Sequence, residues 1–314
     1  MLLPDTHQTR KYLTFEKLIP ALRRGFTSEV TVPLRHTHKI EVGDVRGTSL
    51  IMPAWSASGY YGVKIVNIFP DNHRSGLPGL HSSYVLHDAR TGVPLALLDG
   101  NEITSHRTAA AAALAASFLS HEEASRLLVV GCGRVGRLLA PALRVVRPIR
   151  QVLLWDIDAD ASRRCAQELM AQGFDAAVAS DLESAVRQAD IVSCATLATT
   201  ALIHGAWLAP GSHLDLIGSF TPEMQEAEPS CFAGAAVYVD TEEAAAKSGD
   251  LLRAFAAGEL APDDICGDLA ALCAGTVQHR RLPGQRTVFK AVGTALEDLA
   301  AATMVYAGLT TPVV

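Results

Sequence analysis

The chain has 314 residues, a formal net charge of −6, 49% hydrophobic and 19% charged residues. At about 150 residues per domain this is enough for about two domains, and the apolar share excludes a disordered chain, which cannot bury enough surface to offset its ordering entropy. The acidic balance offers no cationic footprint for a nucleic acid.

The N-terminal residues 1–11 are polar after Leu3 and do not read as a signal peptide. The most apolar stretch, 109–119, is shorter than the roughly 20 residues a membrane span needs. None of the six cysteines forms a C-x-x-C pair, which points to reduced thiols and a cytoplasmic setting. Cys266 and Cys273 share a face if their segment is helical, but no metal set is completed. His36 and His38 alternate along a strand without a third ligand, so no metal site is expected.

Residues 14–28 predict a helix with Thr14 as N-cap. From Val30 to Leu98, short β-branched runs separated by Gly, Pro, Asn and Asp predict antiparallel strands, with a hairpin connection at residues 88–92. Residues 103–119 predict an Ala-rich helix capped by Thr104 or Ser105, and residues 120–123 a capping box opening a further helical turn. From Arg126 on, strands at 127–131, 151–156, 175–180, 191–196, 212–218 and 235–240 alternate with helices, one of them opened by a capping box at Ser180. That alternation predicts a doubly wound parallel sheet. Residues 241–286 read as mostly helical, 287–290 as a last strand, and Val292, Ala295, Leu296 and Leu299 as the apolar face of an amphipathic closing helix.

The fold class is therefore α/β: a Rossmann sheet plus an α+β part with antiparallel strands. Gly131-Cys132-Gly133-Arg134-Val135-Gly136 follows a buried strand and opens a helix. This is the context in which G-x-G-x-x-G binds a pyrophosphate: a tight turn, close backbone approach, close helix packing, and free N–H groups at the helix start. Asp156 ends the next strand, twenty residues after Gly136. A carboxylate there accepts from ribose hydroxyls and repels a 2′-phosphate, so NAD is expected, with NADP left open.

Two cations sit oddly among apolar neighbours: Lys64 within Gly62-Val63-Lys64-Ile65-Val66, and Arg107 before the alanine run. The bland reading is an edge lysine and a solvated helix residue. The functional one is a guanidinium clamp on a carboxylate, with Arg35 as a second guanidinium, and a partly desolvated lysine for proton transfer.

The chain resembles the ornithine cyclodeaminase/mu-crystallin family. The shared motifs are Met52-Pro53-Ala54, Gly62-Val63-Lys64, Phe69-Pro70-Asp71-Asn72, Gly76-Leu77-Pro78, Leu98-Asp99-Gly100, Ile103-Thr104 with Arg107-Thr108-Ala109-Ala110, the glycine turn, Ser248-Gly249-Asp250-Leu251, and Phe289 to Gly293 with Ala295-Leu296-Glu297-Asp298-Leu299, in family order over nearly the whole chain. The resemblance implies a substrate-binding and dimerisation domain of residues 1–120 with 291–314, and a Rossmann domain of residues 121–290. It implies a homodimer acting on a small amino or imino acid. Arg35, Lys64 and Arg107 would surround the substrate, with His81 lining its pocket. Gly131, Gly133, Arg134, Val135, Gly136, Asp156 and Thr196 would hold the dinucleotide, with Lys290 to Gly293 near its nicotinamide.

One position departs from the cyclodeaminases, which carry an aspartate two residues after the glycine ending the fifth Rossmann strand. Here that glycine is Gly218 and the position is Phe220, which cannot pair with an ammonium. Asp215 lies five residues earlier, too far at about 3.3 Å per residue to replace it. The form resembles members that reduce cyclic imines or act as amino-acid dehydrogenases. The alternatives are ornithine cyclodeaminase itself and a non-enzymatic dinucleotide-binding protein of mu-crystallin type.

Overall fold

The computed structural model describes residues 1–277, 282 and 284–311. It divides into two compact units, Met1–Arg107 with Thr294–Val314, and Thr108–Gly293.

The first unit opens with α1 (Thr6–Lys11), capped by the Asp5 carboxylate, which accepts from the Gln8 N–H. Helix α2 (Phe15–Phe26) starts after Thr14 as expected, though the Thr14 side chain makes no capping bond. Phe15, Leu18, Ile19, Leu22 and Phe26 form its buried stripe, the spacing of a one-faced helix. Six strands follow: β1 (Val30–Thr31), β2 (His36–Val42), β3 (Val45–Ser56), β4 (Tyr60–Ile68), β5 (Leu80–Asp88) and β6 (Pro94–Asp99). They pair antiparallel in the order β1-β3-β4-β5-β6, with β2 also on β3. At the hairpin between β5 and β6, Arg90 and Thr91 donate backbone N–H bonds to Asp88 Oδ1. His36 and His38 lie exposed on β2.

Lys64 is not an edge residue. Strand β4 lies in the middle of the sheet, and the register aligns Met52, Lys64, Tyr84 and Leu98 in one row, all buried. The row on the other face, Pro53, Val63, Val85 and Leu97, is half-buried or exposed. The Tyr84 ring lies over Gly62, where a Cβ would come within 2.0 Å of its hydroxyl.

Helix α3 (Gly100–Leu119) begins one turn earlier than expected. Asp99 Oδ1 accepts from the Asn101 and Glu102 N–H groups, so Asp99 caps it, not Thr104 or Ser105. Ser105 instead donates back to the Asn101 carbonyl. The division between the units falls inside this helix after Arg107 rather than near residue 120. The first turns are tied to the strands through Asp99, while the alanine turns belong with the parallel sheet: Arg147 donates to the carbonyls of Ala116, Ser117 and Ser120, and Thr287 to that of Leu119. No helix opens at residues 120–123, because the Ser120 hydroxyl donates to Ala116 O and accepts from Arg147.

The second unit runs β7 (Arg126–Val130), α4 (Gly136–Val146), β8 (Gln151–Trp155), α5 (Ala159–Ala171), β9 (Asp175–Val178), α6 (Leu182–Gln188), β10 (Ile191–Cys194), β11 (His213–Leu216), β12 (Ala236–Val239), α7 (Glu243–Lys247), α8 (Gly249–Ala257), β13 (Ile265–Asp268), α9 (Leu269–Ala274) and β14 (Thr287–Lys290). Its strands form one parallel sheet in the order β13-β12-β14-β11-β10-β7-β8-β9. The chain reverses direction of growth between β7 and β10, the point at which doubly wound sheets bind ligands. Asp181 rather than Ser180 caps α6, accepting from the Ser184 N–H. The stretch 241–286 is less helical than expected, since it contains β13 and three short helices; residues 278–281 and 283 lie outside the described residues. Cys266 is on β13 and Cys273 on α9, so they share no helix face.

The chain closes with α10 (Ala295–Thr310), which returns to the first unit and packs on α2, β3, β4 and β5. Its buried face is broad, formed by Ala295, Glu297, Asp298, Leu299, Ala301, Ala302 and Val305, and Leu296, expected on that face, is half-buried on the other side with Ala300 and Thr303. Among the described residues no helix is long and apolar enough to cross a membrane.

Gly62→Ala is expected to lower stability by about 1–3 kcal/mol, the cost of forcing a methyl into a filled site, read as a lower urea midpoint. The loss should shrink when Tyr84→Ala is combined with it.

Candidate functional site

Strand β4 carries Lys64 into the apolar side of its sheet, α3 carries Arg107, and the first turn of α10 brings Glu297 and Asp298. Lys64 Nζ lies 2.7 Å from Asp298 Oδ2. Arg107 Nε donates to Asp298 Oδ1 at 3.0 Å and Arg107 Nη1 to Glu297 Oε2 at 2.6 Å. The side chains are 2%, 8%, 0% and 0% exposed in the order Lys64, Arg107, Glu297, Asp298. Such burial is tolerable only because each charge faces an opposite one.

The surroundings tune the groups. Burial lowers the Lys64 ammonium to about 8; Asp298 opposes this and Arg107 adds to it. Burial raises the Asp298 carboxyl, but Lys64 and Arg107 outweigh burial and hold it below its usual value. The buried Tyr84 hydroxyl is pushed well up, by burial first and by Asp298 second. A lysine that gives up its proton near neutrality is suited to proton transfer.

Lys64 and Arg107 thus share one carboxylate, that of Asp298. Glu297 and Asp298 went unassigned; their signal was two adjacent acids inside an otherwise apolar, alanine-rich helix. Arg35 stands half-buried immediately before β2. His81 is exposed on β5 opposite Asn67, and strand alternation places it on the face away from Lys64 and Tyr84.

In the second unit the glycine turn lies between β7 and α4, beside the switch point. Gly131 has φ +94°, and a Cβ there would meet the Ala195 carbonyl at 2.6 Å. A Cβ on Gly136 would sit 1.8 Å from the Gly131 carbonyl, so only glycine lets α4 start this close to β7. Around Gly133 nothing lies within 4 Å of an added Cβ, which leaves open the side on which a pyrophosphate would approach. Arg134 is exposed and Val135 half-buried on the same turn. The residues present fit a dinucleotide.

Asp156 is half-buried and accepts from the Cys132 N–H at 2.7 Å and the Asp158 N–H at 2.9 Å, so it shapes the turn itself. Each carboxylate oxygen can accept a further bond, which leaves capacity for a ribose hydroxyl. Asp158 and Asp160 follow closely, and the next arginines in the sequence are paired with them, Arg164 with Asp158 and Arg163 with Asp160. A 2′-phosphate would meet acids here.

Buried carboxylates fasten the loops beyond the strands. Glu226 accepts from the N–H and hydroxyl of Thr196 and from the Gly218 N–H, joining the segments after β10 and β11. Asp240 accepts from the Val292 and Gly293 N–H groups after β14. Lys290 is fully buried with its ammonium 3.3 Å from Asp250 Oδ2, so its charge faces the core. Asp215, fully buried with Ser193 donating to it, is raised to about 7, chiefly by burial. Phe220 is half-buried against the apolar core of this unit. Among the described residues no cluster of three or more His, Cys, Asp or Glu could hold a metal.

A pyrophosphate turn at the switch point of a doubly wound sheet, with a dry lysine–arginine cluster on the other unit, defines an NAD-dependent oxidoreductase. Residues 3–311 match the ornithine cyclodeaminase/mu-crystallin family, and the chain belongs to it. It is similar to a Delta(1)-pyrroline-2-carboxylate reductase of Colwellia psychrerythraea, 34% identical over 96% of this chain and 97% of the relative. Among solved structures it resembles the Thermococcus litoralis Delta(1)-pyrroline-2-carboxylate reductase in complex with NADH and L-proline, with TM-score 0.92 and 29% identity over 98% of this chain and 96% of that one. It also resembles an archaeal alanine dehydrogenase dimer with bound NAD, with TM-score 0.89 and 27% identity over 98% of this chain and 95% of that one.

Gly133→Ala is expected to leave the melting temperature unchanged yet weaken NADH binding at least ~10-fold, since the backbone must approach the phosphates. Gly136→Ala is expected to lower both. Tryptophan fluorescence titration and thermal melts separate the two outcomes.

Proposed function

We propose that the protein reduces a cyclic α-imino acid, such as 1-pyrroline-2-carboxylate, to the corresponding amino acid with NADH. The carrying observation is the buried Lys64–Arg107 cluster in a chain whose position 220 is phenylalanine. A carboxylate-bearing imine needs a clamp and a proton at nitrogen, roles for which a guanidinium and a lysine ammonium are suited. A distal amine would need an acid at 220, and Phe220 offers an apolar surface instead. The named activities of the Colwellia and Thermococcus proteins support the same reading.

When bound, the dinucleotide supplies the hydride that reaches the imine carbon. The roles of the chain's own side chains follow from their chemistry. Arg107, with Arg35, binds the substrate carboxylate. Lys64 orients the substrate and holds the proton that ends on its nitrogen, returning as ammonium from solvent protons after each turnover. The glycine turn and Asp156 fix the dinucleotide, and the acids after β8 favour NAD over NADP.

The same reading places the protein in the cytoplasm, where its six free cysteines, five of them buried, stay reduced. It also makes the protein a homodimer joined through the uncovered face of the antiparallel sheet. That face presents Pro53, Val63, Val85 and Leu97 in one row, and beside it Trp55, Tyr61 and His87 in ring contact. An apolar surface of this extent is typical of an interface.

The decisive assay is NADH consumption with 1-pyrroline-2-carboxylate. Formation of proline and ammonia from ornithine with catalytic NAD+ would overturn the proposal. Lys64→Ala should abolish turnover and keep NADH binding. Reduction needs the ammonium, so its rate should fall as pH rises through about 8, and oxidation of the amino acid should rise there. Light scattering should give twice 33.3 kDa, and Val63→Glu should give the monomer.

A further inference from the structure

We propose that Asp298 is a positioning residue for this reaction, holding the Lys64 ammonium on one carboxylate oxygen and the Arg107 guanidinium on the other. The inference rests on the imine-reductase reading and adds to it the group that keeps proton donor and carboxylate clamp in fixed relation.

A bland account exists. Glu297 and Asp298 lie in the first turn of α10, capped by Thr294, where acids favour the helix dipole. That effect accounts neither for full burial nor for partners from β4 and α3. Asp298 receives Lys64 Nζ at 2.7 Å on Oδ2 and Arg107 Nε at 3.0 Å on Oδ1. A carboxylate that bridges two cations fixes the distance between them. Glu297 faces Arg107 Nη1 at 2.6 Å, backing the guanidinium from the same helix turn.

The groups facing Lys64 can be named element by element. Arg107 comes from α3, Glu297 and Asp298 from α10, and Tyr84 from the adjacent strand β5, aligned with Lys64 in register. Tyr84 stays a neutral hydroxyl. The four charges therefore balance, two against two. Without the Asp298 charge, Lys64 would face Arg107 across a dry interior with one acid fewer. The neutral amine would then be favoured, and the proton donor would be absent at neutral pH. Asp298→Asn keeps size and one acceptor but removes the charge. Asp298→Glu keeps the charge and alters the reach.

The test is the pH profile of kcat for 1-pyrroline-2-carboxylate reduction in wild type, Asp298→Asn, Asp298→Glu and Glu297→Gln. In Asp298→Asn the fall at high pH should move down by about one pH unit or more. Activity at pH 8 should drop at least ~5-fold and recover on acidification, with KM for NADH unchanged. Asp298→Glu should restore the position of the fall. Glu297→Gln should chiefly raise KM for the imino acid. A uniform loss at every pH, with the profile unmoved, would show a structural role only and overturn the proposal. The titration of Lys64 itself, followed by NMR after reductive 13C-methylation, gives a readout that needs no substrate. If no imino acid is reduced but Lys64 still titrates lower in Asp298→Asn, the reaction assignment fails and the positioning role stands. If the Lys64 titration is unmoved, the positioning role fails.

Discussion

The first unit depends on one constraint: a lysine and an arginine buried in an apolar interior must meet carboxylates there. Lys64 sits in the central strand of a sheet whose neighbours in the row are Met52, Tyr84 and Leu98. Left alone it would lose its proton or open the sheet to water. The matching acids come from α10, 190 and 191 residues after Arg107. The discontinuity of this unit is thus a charge requirement as much as a packing one. Removing either acid would leave a buried cation short of a partner, a change that commonly costs 3–5 kcal/mol.

The second unit applies the same chemistry differently. Its buried acids accept mainly from backbone N–H groups: Glu226 from Thr196 and Gly218, Asp240 from Val292 and Gly293, Asp156 from Cys132 and Asp158. Loops beyond a sheet are commonly its most mobile part. Here carboxylates satisfy their amides and hold them near the carboxyl ends of the strands. Two residues that the family resemblance implies for the dinucleotide, Thr196 and Gly293, take part in these fastenings, and a third, Lys290, is ion-paired with Asp250.

Much of this was legible in the sequence. The alternation after Arg126 specified the parallel sheet, and the spacing of Gly131, Gly133 and Gly136 specified the turn, because periodicity and glycine chemistry are local signals. Lys64 and Arg107 stood out by contrast with their neighbours. Non-local features stayed hidden. Strand β13, Ile265–Asp268, is too short and too poor in β-branched residues to announce itself. Asp99 was missed as the cap of α3 because Thr104 and Ser105 offered the same chemistry one turn later. The face on which His81 lies was not legible, because a motif neighbourhood says nothing of strand parity. Glu297 and Asp298 look like ordinary first-turn acids until the fold sets them against cations from far upstream.

The return of α10 to the first unit also bears on synthesis. A ribosome makes residues 108–293 between the two parts of that unit, which at roughly 5–20 residues per second takes about 10–40 seconds. During that interval Lys64 and Arg107 have been made but their acids have not, so the antiparallel sheet lacks both its helical cover and its charge partners. The parallel sheet, whose strands all lie between β7 and β14, can form first. The nascent sheet around Lys64 therefore stays incomplete for that interval, and translation speed over the later part of the message sets how long the interval lasts.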